Sequence, residues 1–227
     1  MRFARLSALL LLMPVAAATA ALAAGGAHIV DDATVVEPGT CQLETWLTDF
    51  NPGGGYANAS PACTFKALPK LEIGATYQHY WETPGAALLG PALKLNLRPE
   101  ETGVGLALGF NAGVHLGTGD LELASLIVPV SLPINDKVRI NLNAGWSYVR
   151  ADPHQNAAFY GAQAVAEVGL DLTLMVEVFG RAPGTGGAQM GLRWSPGGGP
   201  IDFELLAGGF FDETSPRFFT LGVTVRY

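Results

Sequence analysis

The sequence predicts an all-β fold, a transmembrane antiparallel up-and-down β-barrel of about 12 strands (roughly 10–12). Three observations predict it. Apolar and polar residues alternate with period two in most of the chain, an export signal stands ahead of that pattern, and the last residue is the aromatic Tyr227. The final stretch shows the alternation best. Phe219, Leu221, Val223, Val225 and Tyr227 fall on one face, and Thr220, Gly222, Thr224 and Arg226 on the other. That is a strand with one apolar and one polar face. In a closed barrel it pairs with the first strand, and its ending in an aromatic resembles that of outer-membrane barrels, which implies that these five residues form a C-terminal signal for the barrel assembly machinery.

Residues 1–24 have the three parts of a secretory signal peptide. Arg2 and Arg5 precede an apolar run from Ala8 to Ala18, and the small residues end in Ala21-Leu22-Ala23. Cleavage there would take the formal charge from 13 − 20 = −7 to 11 − 20 = −9. An acidic chain with no basic cluster excludes nucleic acid as a partner. Residues 25–40 hold Asp31, Asp32, Glu37 and Pro38 without sustained alternation. They are expected to form an N-terminal periplasmic extension, with the barrel occupying 41–227. The apolar stretch from Gly103 to Gly119 is not a spanning helix, because glycine recurs at 103, 105, 109, 113, 117 and 119.

Twelve strands are expected near 41–49, 60–67, 70–81, 90–98, 103–114, 120–132, 137–150, 158–168, 172–180, 187–194, 201–211 and 217–227. In the fourth, Leu93, Leu95 and Leu97 oppose Lys94, Asn96 and Arg98. In the seventh, Val138, Ile140, Leu142, Ala144 and Trp146 oppose Arg139, Asn141, Asn143, Gly145 and Ser147. In the sixth, Leu126-Ile127-Val128 is apolar on both faces, and Pro129 reads as a bulge or a strand end. Tight connections at 68–69, 99–102, 133–136 and 169–171 alternate with longer ones, as in an outer-membrane barrel; 195–200 is long for its side. Trp81, Trp146, Tyr148, Phe159, Tyr160, Trp194, Phe210, Phe211 and Tyr227 lie near strand ends, where an interfacial girdle against outer-membrane lipid belongs.

Cys41 and Cys63 flank the turn composition Asn51-Pro52-Gly53-Gly54-Gly55. In an exported hairpin they are expected to form a cross-strand disulfide. The polar face carries Glu44, Glu72, Lys94, Arg98, Glu122, Arg139, Glu167, Glu177, Arg193, Glu204 and Arg226, which a barrel directs into its lumen. These charges fit either a structural network or a charge-lined path for a solute. His28, His79, His115 and His154 are isolated, and no nucleophile–base–orienter set, metal-ligand spacing or phosphate loop is visible. No catalytic residue, metal or cofactor is expected.

Ala27-His28-Ile29-Val30-Asp31-Asp32-Ala33-Thr34, followed by Gly39-Thr40-Cys41-Gln42-Leu43-Glu44, resembles the start of the bacterial outer-membrane "MetA-pathway of phenol degradation" family. Leu71-Glu72-Ile73-Gly74, Val176-Glu177-Val178-Phe179-Gly180 and the C-terminal strand resemble further stretches of that family. The chain departs from it where Ile29, not proline, follows His28, and in having two cysteines. The resemblance implies an outer-membrane barrel and a transporter of small, apolar or aromatic molecules. The alternatives are a structural barrel without transport and a barrel enzyme acting on lipid.

Overall fold

The computed structural model describes residues 27–81, 86–211 and 217–227; the expected signal peptide lies outside them. Twelve antiparallel strands close into one barrel: β1 (Thr40–Asn51), β2 (Gly55–Thr64), β3 (Leu71–Tyr80), β4 (Ala86–Arg98), β5 (Gly105–His115), β6 (Leu121–Asn135), β7 (Val138–Val149), β8 (Asn156–Gly169), β9 (Leu172–Ala182), β10 (Gly186–Trp194), β11 (Ile201–Phe210) and β12 (Arg217–Arg226). Each strand pairs with its sequence neighbours, and β12 pairs with β1 from Asn51↔Arg217 to Gln42↔Arg226. Closure leaves no strand edge with unpaired N–H and C=O groups.

Period-two alternation decides what faces out. Leu47, Leu221 and Leu205 sit side by side in register on β1, β12 and β11, all on the exterior. Leu93, Leu95, Leu174, Val176, Val178 and Phe219 are also exposed there. Among the expected girdle residues, Trp81, Trp146, Tyr160, Trp194, Phe211 and Tyr227 are exposed, whereas Phe159 is buried inside the barrel. The C-terminal set Phe219, Leu221 and Tyr227 is exposed, and Val223 and Val225 are half-buried. No helix among the described residues is long and apolar enough to cross a membrane.

Cys41 and Cys63 are register partners on β1 and β2 and are disulfide-bonded, with Cα atoms 4.0 Å apart. Cys41 exchanges backbone hydrogen bonds with Tyr227 on its other side. The close, non-hydrogen-bonded pairing it makes with β2 is the one that brings cross-strand side chains nearest.

The structure corrects the expected layout in four places. β2 begins at Gly55, not near 60: Ala57 and Ala59 are its outward residues, too small to read as an apolar face, while Tyr56 and Asn58 point inward. β6 runs through Pro129 without a bulge. Leu106↔Val130 and Gly109↔Ile127 keep the same register on either side of it, so the proline removes a ladder donor but no residue. The connections do not alternate between short and long. They span two to six residues at the end carrying the C-terminus (the terminal end) and three to six at the opposite, distal end. Finally, residues 27–36 run inside the barrel rather than extending away from it, and Glu37 and Pro38 are exposed.

Leu95 is outward-facing and exposed, and Asn96, beside it on β4, is buried in the lumen. Leu95→Arg is expected to cost about 2–4 kcal/mol of membrane insertion, whereas Asn96→Arg is expected to insert. Heat-modifiability gels on outer-membrane fractions compare the two; equal effects would mean that the exterior is not a lipid face.

Candidate functional site

The site is the lumen and the N-terminal segment threaded through it. Residues 27–36 belong to no strand, so their backbone groups need other partners. Wall side chains supply them. Ile29 and Val30 N–H donate to the two carboxylate oxygens of Glu177 on β9, at 3.1 and 3.0 Å. Asp31 N–H donates to Asn143 Oδ1 on β7 at 2.9 Å, and Asn143 Nδ2 returns a bond to the Asp31 carbonyl at 2.7 Å. Ala33 N–H donates to Ser131 Oγ on β6 at 2.8 Å, and its carbonyl accepts from Asn96 Nδ2 on β4 at 2.7 Å. Val36 N–H donates to Glu72 on β3 at 2.8 Å. The polar face of the wall thus does for this segment what a neighbouring strand does for a strand edge.

Packing follows the same path. Ile29 and Val30 are buried against Ile127, Phe159, Phe179 and Phe218. This is why β6 is apolar on both faces at Leu126-Ile127-Val128. Glycines let the segment approach: a Cβ at Gly161 would lie 2.6 Å from Val30 Cγ2, and one at Gly105 would lie 3.1 Å from Ala33 Cβ.

Ion pairs complete the anchoring. Lys94 Nζ lies 2.9 Å from Asp31 Oδ1 and 3.3 Å from Asp32 Oδ1, and Arg139 joins Asp32 at 3.1 Å to Glu100 at 3.2 Å. Toward the terminal end, Arg193 pairs with Glu204 and Arg226 with Asp202, each at 2.5 Å. The imidazole of His28 lies between Glu177 and Glu204, at 3.7 and 3.6 Å. Burial lowers its pKa, but Glu204 and Glu177 more than offset this and hold it up at about 9. A cavity of about 350 Å³ lies between the segment and the wall, lined by His28, Asp32, Glu44, Lys94, Arg193 and Arg226 among others.

Of the eleven charges expected in the lumen, Glu44, Glu72, Lys94, Glu177 and Glu204 are buried there. Arg139, Arg193 and Arg226 are partly exposed and line the same cavity. Three are not brought to this site. Arg98 and Glu167 are exposed near the terminal-end turns, where Arg98 bonds to Thr102, and Glu122 meets Arg150 at the distal rim. The alternation places Arg98 and Glu167 on the inward phase, but irregular register at Asn96/Arg98 and Glu167/Gly169 takes those strand ends off it, while Glu122 has the outward parity of Leu126 and Val128 and sits at the register shift opposite Gly113/Val114.

The distal half of the lumen is aromatic. Tyr80, Tyr56, Phe50, Phe218, Phe210 and Phe179 form a continuous arc over β3, β2, β1, β12, β11 and β9, with successive ring centroids 5.4, 6.1, 6.2, 5.6 and 5.9 Å apart. The arc crosses β10 at Gly187, where a Cβ would come within 2.8 Å of the Phe179 ring. Sequence reasoning missed this arc, and assigned Phe210 to an outer girdle. It also missed His28, Asp31 and Asp32 as lumen residues. The available signals were the inward parity of Phe50, Tyr56 and Phe218, and an acidic doublet preceding the first strand.

Glu177→Ala would leave the Ile29 and Val30 N–H groups without partners, at a cost of about 1–3 kcal/mol. A Val30→Cys probe is expected to react with a thiol reagent roughly tenfold or more faster in that background. Unchanged labelling would mean that Glu177 does not hold the segment. A pH effect follows from His28. Its pKa is raised, so its charge stabilises the seated segment fully below about 6.5, and the contribution is lost as pH rises through about 9. Labelling at residue 30, taken relative to a free thiol at each pH, should rise across that window, and His28→Gln should flatten that relative rise.

Comparison with solved structures finds the same fold. A KdgM porin has a TM-score of 0.65 at 8% identity, covering 81% of this chain and 98% of that one. A NanC porin has a TM-score of 0.62 at 8% identity, covering 81% and 98%. The COG4313 outer membrane channel from Pseudomonas putida F1 has a TM-score of 0.60 at 9% identity, covering 86% and 97%. No curated protein matches the chain. The phenol-degradation family that the motifs resemble is not the family whose pattern matches. That match extends over residues 11–227, and by it the chain belongs to the family described as uncharacterised conserved protein UCP029691.

Proposed function

We propose that this protein is a non-catalytic outer-membrane channel for small apolar or aromatic molecules. The observation that carries the reading is the aromatic arc lining the distal half of a closed barrel's lumen. Aromatic rings facing inward do not serve a lipid boundary; they offer faces and edges to an apolar solute. The exposed apolar exterior supports a place in lipid, and export through a cleaved signal peptide followed by insertion by the barrel assembly machinery supplies the route. The porin and channel folds of the similar structures support transport rather than catalysis. One of them, a KdgM porin, is described in complex with disordered oligogalacturonate. The phenol-degradation resemblance points instead to aromatic solutes, and the ring arc favours that class here.

A second reading has its own support. Residues 27–36 fill part of the lumen through bonds to six wall strands, as a purely structural barrel would require. Planar-bilayer recording separates the two. A channel shows discrete conductance steps, and these grow by roughly twofold or more when Glu177→Ala and Lys94→Ala weaken the segment's anchors. A Phe50→Ala, Phe218→Ala double variant should slow entry of phenol-sized solutes into proteoliposomes and leave glycerol unchanged. A silent membrane for every variant would leave the structural barrel as the function.

A further inference from the structure

Resting on the channel reading, we infer that the lumen holds a binding site for small organic cations with an aromatic body, whose charged head is taken by Glu177 and Glu204 at the position that His28 now fills. Three observations converge on it. Glu177 and Glu204, from β9 and β11, are 1% and 4% exposed and converge on one point in the lumen. The occupant of that point is an imidazole on a segment that is not part of the wall. It is 5% exposed, and neither ring nitrogen has a hydrogen-bond partner. At 3.6–3.7 Å the ring is near enough for Coulombic attraction but beyond good hydrogen-bond length. A primary ammonium, with three donors on a small centre, fits two carboxylates better than this ring does.

The third observation is what stands next to the carboxylates. Phe179 follows Glu177 by two residues on β9 and so faces the same way, one strand step of about 7 Å away. It is one end of the aromatic arc. A ligand whose ring enters that arc and whose ammonium reaches Glu177 satisfies both surfaces at once, with cation–π attraction adding to the pairing. Anions meet the opposite arrangement. The basic groups Lys94, Arg139, Arg193 and Arg226 are each paired with carboxylates, Arg193 with Glu204 itself. The charges nearest the His28 ring, Glu177, Glu204 and Arg193, therefore still leave an excess of negative charge that attracts a cation and repels an anion.

The test is calorimetric titration of detergent-solubilised, folded full-length protein with benzylammonium, methylammonium and benzoate. Benzylammonium should bind, with methylammonium and benzoate each weaker by about tenfold or more. His28→Ala removes the resident occupant and should tighten benzylammonium by about tenfold; Glu204→Gln, which keeps size and leaves the backbone bonds to Glu177 intact, should weaken it by a similar factor. Heat-modifiability gels confirm that each variant is folded. Benzoate binding as tightly as benzylammonium, or neither variant moving the affinity, overturns the site. Bilayer recordings on the same samples keep the two readings apart. Benzylammonium binding without conductance sinks the channel and leaves the site standing; conductance without benzylammonium binding sinks the site and leaves the channel.

Discussion

A barrel of twelve strands encloses more width than its own side chains fill, yet less than the water channel of a sixteen-stranded one. Much of this structure follows from that intermediate width. The space is occupied by a stretch of backbone, and backbone brings N–H and C=O groups that cannot be buried alone. The inward face answers with Glu72, Asn96, Ser131, Asn143 and Glu177, each aimed at a main-chain group of residues 29–36. The composition of that face, amides and hydroxyls with scattered acids, is therefore the complement of a peptide. Glu177 is the most heavily used: it accepts from two backbone N–H groups and from Gln163 and Gln189.

Buried charge in this lumen is tolerable because it is paired on site. Lys94 faces both Asp31 and Asp32, and Arg139 links Asp32 to Glu100. Such pairs contribute little net stability once desolvation is counted, but removing one partner strands the other in a dry environment. The segment and the wall are consequently committed to each other. A lumen with the segment withdrawn would have to hydrate Lys94, Glu72 and Glu177 together, which is what an open conducting state would supply.

Much of this was legible from local pattern. Alternation in β4, β7, β9 and β12 identified the inward face and the closing strand, and the turn composition between Cys41 and Cys63 identified the disulfide. A strand's period reports which residues share a face and nothing about what that face meets. The segment's contacts to Glu177 span 147 and 148 residues of sequence, and no local signal carries them. The aromatic arc was hidden for a related reason. Rings near strand ends belong equally to an outer girdle or an inner lining, and only parity distinguishes Phe210, inward, from Phe211, outward. β2 failed differently: alanines at 57 and 59 give an outward face with too little hydrophobic contrast to register.

What remains is why the segment sits in one position rather than sliding along the lumen. Its sequence changes character at the Val30–Asp31 bond, and the lumen changes character at the same level. Ile29 and Val30 meet Ile127, Phe159 and Phe179 on the distal side, while Asp31 and Asp32 meet Lys94 and Arg139 on the other. A slip of one residue toward the distal end would place the Asp31 carboxylate among phenylalanine rings and take it from Lys94, and a slip the other way would set Val30 between Asn143 and the ammonium. Each misplacement buries a polar or charged group without its partner, at a cost of several kcal/mol. The ionic pairs need not stabilise the fold to matter; they make every other register of the segment worse. That places His28 reproducibly between Glu177 and Glu204, and makes the position it occupies a defined point in the lumen.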